Sequence, residues 1–331
     1  MKLVTYAIST PLGRAERLGA VQGDAVVDLQ LAYRGWLLEN DAVDMVGIDR
    51  MAAALVPTDM TAFLEGGSVS MKAARQALEW AARAPGDTLQ DGARVVWPTP
   101  QVQLLAPVPR PRTVRDCMAF EQHVTNGYKA IGRTVPEEWY QIPAYYKVAP
   151  TSISGPDGVV LCPSQSSWLD FELEYAAVIG RRGSSIKAAD AMSHIAGFVI
   201  YNDFSARDLQ KVEMAVGLGP AKGKDFNTGT VIGPALVTLD EIGDPYCLTM
   251  SARLNGTELA RGKTGDAHWR WDTIIEFISR DETLLPGDII GSGTLGGGCL
   301  LEQGLPPLKA GDVVELEVEK IGILKTTVSV G

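Results

Sequence analysis

The sequence predicts an α+β protein, predominantly β, with a small α+β domain over residues 1–105 and a larger strand-rich domain over residues 106–331. Three observations carry this. Between Asp170 and Tyr175, acids (Asp170, Glu172, Glu174) alternate with Phe171, Leu173 and Tyr175, which is the two-residue period of a strand. Later in the chain, short apolar runs are separated by turn signals, including Asn255-Gly256 between 248–254 and 257–262, a hairpin signature. Prolines at positions 98, 100, 107, 109 and 111 punctuate the chain between the two parts. Each removes a backbone donor and fixes φ, which marks a linker or an edge segment.

In the first part, residues 2–8 read as a strand and 17–29 as two short strands around a Gly23-Asp24 turn. Residues 29–38, 51–54, 60–64 and 71–84 read as helices, the last stopped by Pro85-Gly86. Nothing before Arg115 carries a catalytic pattern, and the segment reads as a packing or dimerisation module. Residues 115–127 then pass from a strand end into a helix. Residues 169–180 read as one strand and 186–194 as a short helix with Lys187 and Asp190 outward. A strand at 197–203 ends in an acid, and 204–210 reads as a helix start with Ser205 near its N-cap. Residues 273–279 form an amphipathic helix pattern, and 285–294 a turn and buried strand. In the alternating 313–319 segment the acids face solvent.

Composition bounds the function classes. The 331-residue chain is 46% hydrophobic and 21% charged, the balance of a soluble globular protein with a sizeable core. A net charge of −10, a pI near 4.9 and no basic cluster argue against a nucleic-acid partner and against an anionic membrane. No run approaches the roughly 18 apolar residues of a membrane span. Ser9-Thr10-Pro11 interrupts an N-terminal apolar run too short for a signal peptide. Cys117, Cys162, Cys247 and Cys299 lack paired spacing, as expected of reduced thiols in the cytoplasm rather than a disulfide framework or a zinc site.

The acidic strand is the strongest chemical signal. Carboxylates stacked on one strand face repel and raise each other's pKa. The small and apolar run 176–180 that follows reads as buried, which favours a hard divalent cation held by carboxylate oxygens over the alternative, an ordinary polar strand face. Upstream, Asp116, Glu121 and His123 fall within one or two turns. His123 is compatible with a general base, a metal ligand or a structural helix residue, while His194 reads as structural and His268 is unassigned. Tyr145-Tyr146-Lys147 suits either a pocket wall or an ordinary strand with a snorkelling lysine. The glycine-rich segment 217–230 carries Lys224, but Asp225 follows where a P-loop needs Ser or Thr, which argues against nucleotide binding. Gly296-Gly297-Gly298 suits either a lid hinge or a passive turn.

In order, the chain carries Asp170-Phe171-Glu172-Leu173-Glu174 with Val178-Ile179-Gly180, then Tyr201-Asn202-Asp203-Phe204-Ser205-Ala206-Arg207-Asp208-Leu209-Gln210. Gly219-Pro220-Ala221-Lys222-Gly223-Lys224-Asp225-Phe226 and Pro286-Gly287-Asp288-Ile289-Ile290-Gly291-Ser292-Gly293-Thr294 follow. From roughly Arg115 to the C-terminus this series resembles the fumarylacetoacetate hydrolase family, and the first hundred residues resemble the variable extra domain of its longer members. The resemblance implies a mixed β-roll catalytic domain, a homodimer and a divalent cation, Mg²⁺ first, with Mn²⁺ or Ca²⁺ as variants. It implies metal ligands at Asp116, Glu172, Glu174 and Asp203, and catalytic roles for His123, Lys224, Arg207 and Gln210. It places substrate contacts at Tyr145 or Tyr146 and at Thr294, and further metal or loop contacts at Thr228 and Glu121. Glu121 and Glu302 are the two candidates for the acid that supports the histidine in fumarylacetoacetases. The implied substrate is a small diketo or 2-oxo acid. The implied reaction is hydrolysis of a carbon–carbon bond in a 1,3-diketone or acylpyruvate, as in aromatic catabolism. The alternative on the same scaffold is decarboxylation, hydration or isomerisation of a 2-oxo acid. Leu295-Gly296-Gly297-Gly298-Cys299 departs from the pattern of true fumarylacetoacetases, which bears on the substrate rather than on the metal site.

Overall fold

The computed structural model describes residues 1–11, 13–40, 45–84, 86–130 and 132–330. Pro85, expected to stop a helix, lies outside them; the helix concerned spans Gly67–Ala81.

One mixed sheet of twelve strands runs through both parts of the chain. Its main path is Val96–Pro98, Ala25–Asp28, Gly13–Gln22, Lys2–Thr10, Thr230–Thr238, Ile195–Asp203, Leu173–Ile179, Ile289–Gly291, Val114–Cys117 and Tyr145–Val148. The first strand joins the later ones through Lys2↔Val237 and Leu3↔Leu236. Within the proline-rich connection, Gln103–Leu104 pairs with Lys2–Thr10, so this stretch adds an edge to the sheet. A second, five-stranded sheet has the order Thr257–Lys263, Thr249–Leu254, Val313–Val318, Gly322–Val330, Gly158–Cys162. Both paths run from edge to edge, and neither closes into a barrel. The expected hairpin turn forms at Asn255 and Gly256, with φ of 52° and 80°.

The two-residue period of Leu173–Ile179 sorts its side chains between two cores. Leu173, Tyr175, Ala177 and Ile179 enter the core shared with the second sheet. Ala176 and Val178 enter the core beneath the helices Leu29–Glu39, Met60–Glu65 and Gly67–Ala81. Ile195–Asp203 repeats the division, with Phe198 and Ile200 on one side and Val199 and Tyr201 on the other. Both faces are therefore buried, and acids on the even face of Leu173–Ile179 have no solvent to turn to.

Two local expectations are corrected. Residues 169–180 are not one strand: Leu169–Asp170 pairs with Ser205–Ala206 in a separate two-stranded sheet, and the chain leaves strand geometry at Phe171-Glu172. Asp170 is thereby taken out of the row that holds Glu174. Ser205 belongs to that small sheet and is not an N-cap; its hydroxyl donates to the Asp203 carbonyl at 3.0 Å. The helix Arg207–Val216 begins after Ala206 without a side-chain cap.

Candidate active site

Sheet register gathers the acids. Asp116 stands opposite Gly291 on one neighbouring strand and Tyr146 on the other. Glu174 stands opposite Tyr201, and Asp203 opposite Thr230. Glu172 lies just before its strand, where its amide donates to Asn202 Oδ1 at 3.1 Å. No carboxyl-bearing residue of the four is more than 4% exposed.

Backbone and small residues shape the cluster. The Gly293 amide donates to Asp116 Oδ1 at 3.2 Å and Glu174 Oε2 at 3.0 Å, and Thr294 Oγ1 donates to Glu174 Oε1 at 3.1 Å. At Gly291 a Cβ would stand 2.3 Å from Asp116 Oδ1 and 3.3 Å from Glu174 Oε2, so only glycine leaves room for both acids. Gly291→Ala is expected to displace Asp116 and weaken Mg²⁺ binding by at least about tenfold, the scale of losing a metal-orienting contact. Isothermal calorimetry with Mg²⁺ checks this; unchanged affinity would show that Asp116 is not a ligand.

Cations offset half of the cluster. Lys224 Nζ donates to Glu172 Oε2 at 2.6 Å and Asp203 Oδ2 at 2.5 Å, and the Tyr146 hydroxyl also donates to Asp203 Oδ2. Arg207 Nη2 lies 2.8 Å from both Glu172 Oε1 and Asp170 Oδ2, while its Nη1 donates to Gln210 Oε1 at 3.0 Å. Burial pushes Glu172 upward, but Lys224, then Arg207 and His123, outweigh it and hold its carboxyl below the usual range. Burial raises Asp203 to about 6, with Lys224 opposing and Glu172 adding to the rise. Among the described residues Asp116 and Glu174 have no hydrogen-bonded cation, and the charge of Lys224 opposes the rise of Asp116 without reversing it. Burial, then repulsion from Asp203 on Asp116 and from Asp116 on Glu174, drives both well above an ordinary carboxyl.

The donor set fits a hard divalent cation. Asp203 Oδ1 is buried and receives no hydrogen bond, and Asp116 and Glu174 converge on a single amide. Oxygen ligands of this kind suit Mg²⁺, Mn²⁺ or Ca²⁺, and an ion there would offset the repulsion that raises both acids.

Beside this cluster, the helix Glu121–Ala130 carries His123. His123 Nδ1 is 2.6 Å from Glu302 Oε1. Glu302 also accepts from Asn126 Nδ2 at 2.6 Å and from the Gly297 amide at 2.9 Å. Burial raises Glu302, but the bond and charge of His123 more than compensate and hold it low, as a carboxylate. A carboxylate only accepts, so in the neutral ring the proton sits on Nδ1 and Nε2 keeps the lone pair.

The motif residues thus come together unequally. Asp116, Glu172, Glu174, Asp203, Lys224, Arg207, Tyr146 and Thr294 form one contact network, with Gln210 reached through Arg207. Tyr145 does not join: it pairs with Cys117 and lies edge-on to Phe277 with ring centroids 6.5 Å apart. Glu121 engages the Tyr140 hydroxyl at 2.6 Å, so the acid holding His123 is Glu302. Thr228 ties its loop to a neighbouring strand, accepting from the Leu161 amide at 3.0 Å. Gly296-Gly297-Gly298 serves close approach: a Cβ at Gly296 would meet Gln122 at 2.6 Å, and the Gly298 carbonyl accepts from the Leu173 amide at 3.0 Å.

Three contributors, Asp170 as the anchor of Arg207, Asn126 and Glu213, were missed in the sequence, and Glu302 was one of two candidates there. Asp170 anchors Arg207 and accepts from the Leu300 and Leu301 amides at 2.8 and 3.2 Å. Glu302 and Asn126 surround His123. Glu213 fills the glycine-rich loop, accepting from the amides of Ala221, Lys222 and Gly223 at 2.9, 2.6 and 3.1 Å. That loop's amides are satisfied by the chain's own carboxylate, which is why it is no phosphate cradle.

Residues 112–329 match the family described as fumarylacetoacetate (FAA) hydrolase C-terminal, and the chain belongs to that family. It is 37% identical over 271 residues to "Oxaloacetate tautomerase FAHD2A, mitochondrial" of Homo sapiens, spanning 81% of this chain and 79% of that protein. Among solved structures it is similar to 2-hydroxyhepta-2,4-diene-1,7-dioate isomerase from Mycobacterium marinum, at 25% identity and a TM-score of 0.66, over 100% of this chain and 98% of that one. Fumarylacetoacetate hydrolase from psychrophilic Exiguobacterium antarcticum, at 23% identity, a TM-score of 0.68 and coverage of 99% and 100%, shares the fold. Among the described residues no helix is long and apolar enough to cross a membrane.

Proposed function

We propose that the protein is a divalent-metal-dependent tautomerase or isomerase of a small 2-oxo dicarboxylic acid resembling oxaloacetate. The observation that carries this reading is a buried four-carboxylate site placed beside one oriented proton carrier, His123. Keto–enol interconversion needs no nucleophile. It needs a proton moved to and from the carbon next to the ketone, and a place for negative charge on the oxygen. The 37% identity to a protein named as an oxaloacetate tautomerase supports it over carbon–carbon hydrolysis, the first reading from motifs alone.

Asp116, Glu172, Glu174 and Asp203 would hold the ion, which when bound supplies Lewis acidity towards the oxygens of a 2-oxo acid. His123 Nε2 takes the proton from carbon, and the imidazolium so formed is stabilised by Glu302. Lys224 and Arg207, fixed by Glu172, Asp203 and Asp170, hold positive charge where an anionic substrate would lie. We further place the protein as a homodimer in a reducing compartment such as the cytoplasm. Four unpaired cysteines support the compartment, and exposed Val212, Val216 and Leu218 offer apolar surface to a second copy.

A second reading, hydrolysis of an acylpyruvate, is favoured by one contact. Glu302 holds His123 as the supporting acid of fumarylacetoacetases is expected to, and the same pair can deprotonate water. The test is decay of the enol ultraviolet absorbance of oxaloacetate and of a panel of acylpyruvates, with Mg²⁺, with Mn²⁺ and with a chelator, products being identified by NMR. Metal-dependent conversion of enol to keto oxaloacetate of unchanged mass is expected. Two fragments from an acylpyruvate, without accelerated tautomerisation, would replace the reading with hydrolysis.

A further inference from the structure

A second donor set of different chemistry lies next to the carboxylate cluster. A ring nitrogen of His123, Sγ of Cys299 and a carboxylate oxygen of Glu302 all lie within 4.8 Å of one another. His123 Nδ1 is 2.6 Å, and Cys299 Sγ 3.4 Å, from the same oxygen, Glu302 Oε1. Cys299 is fully buried and the Glu302 side chain is 2% exposed, whereas that of His123 is 20% exposed, so an ion has an approach from the histidine side. Tetrahedral zinc ligands at their usual bond lengths stand roughly 3.3–3.8 Å apart. The Cys299–Glu302 separation meets that as it stands, and the His123–Glu302 contact needs to open by less than about 1 Å. Thiolate and imidazole select softer ions than an all-carboxylate site does.

We propose that His123, Cys299 and Glu302 form an inhibitory site for Zn²⁺, separate in ligand chemistry from the carboxylate cluster. Zn²⁺ takes the Nδ1 lone pair of His123, one Glu302 oxygen and the Cys299 sulfur, with water in the fourth position. The Nδ1 proton relocates to Nε2, so the nitrogen that would accept the substrate proton is already protonated. The Cys299 thiol releases its proton to solvent, and Glu302, a carboxylate, releases none. About one proton therefore leaves per ion bound. Inhibition rests on His123 being the proton carrier of the proposed tautomerase; binding does not.

The test uses the full chain with Cys247→Ser, which removes the exposed thiol beside Asp244, at saturating Mg²⁺. Zn²⁺ is titrated against a chromophoric chelator, proton release is followed in weak buffer, and Cd²⁺ is added separately to look for a thiolate-to-metal ultraviolet band. One Zn²⁺ per chain, about one proton and a Cd²⁺ band are expected, with inhibition of turnover at the same midpoint. Cys299→Ala is expected to weaken Zn²⁺ by at least about tenfold. Unchanged Zn²⁺ affinity in Cys299→Ala, or no Cd²⁺ band in the Cys247→Ser protein, overturns the site; the band decides even where the alanine variant does not fold. Binding with these signatures but undiminished turnover overturns the inhibition and His123's role as proton carrier, leaving the site standing.

Discussion

His123→Ala is expected to lower turnover by about 10²–10⁴-fold, the usual worth of a positioned acid–base group, while Mg²⁺ affinity changes little. The separation follows from the geometry. His123 is bonded to Glu302 and not to any of the four clustered acids, so its removal leaves Asp116, Glu172, Glu174 and Asp203 in place. Glu302→Gln is the sharper companion. An amide can turn its NH₂ towards Nδ1, which would shift the ring proton to Nε2 and remove the lone pair needed there. The variant should therefore lose most of the activity that His123→Ala loses, without losing the histidine. Steady-state kinetics with calorimetric Mg²⁺ binding decides the matter. Full turnover in His123→Ala would transfer the proton-carrying role elsewhere in the site.

The second large effect is on pH. Asp203 is raised to about 6, and Asp116 and Glu174 lie above the ordinary range, all by burial first. A raised acid binds its proton more tightly folded than unfolded. Its contribution to stability is complete below its unfolded pKa and is lost as pH rises through the folded value. Metal-free protein should therefore lose stability between about pH 4 and 7, on the order of 2–3 kcal/mol from Asp203 alone. Mg²⁺ competes with those protons, so its affinity should climb over the same window, and saturating Mg²⁺ should cancel the loss. Chemical denaturation with and without Mg²⁺, in wild type and Asp203→Asn, measures both trends. The same slope in Asp203→Asn would remove Asp203 as their source.

Where sequence reasoning succeeded, the information was local. Period two identified the strand that carries Glu174, and Asp203, Arg207 and Lys224, picked out by motif order, lie in one contact network with Glu172. Asn255-Gly256 marked its hairpin because that turn needs two positive φ values. Where it failed, the information was a contact between distant segments. Glu302 lies 179 residues from His123, and no spacing rule could choose it over Glu121, the other candidate and the nearer in sequence. Tyr145 and Tyr146 are chemically alike in the sequence. Only the pairing of Tyr146 with Asp116 decides which ring enters the site, because a shift of one residue turns every side chain of a strand to the other face.

The acidic run shows both limits in six residues. Alternation set Asp170, Glu172 and Glu174 apart from their apolar neighbours and gave the expectation that such a row needs a cation. It did not reveal that strand geometry breaks at Phe171-Glu172, which sends Asp170 to Arg207 and leaves Glu172 shared between Arg207 and Lys224. Periodicity records which side chains share a face while a strand continues. Where the strand ends depends on the partner that next offers hydrogen bonds, here Ser205–Ala206, and that partner exists only once the chain has folded back on itself.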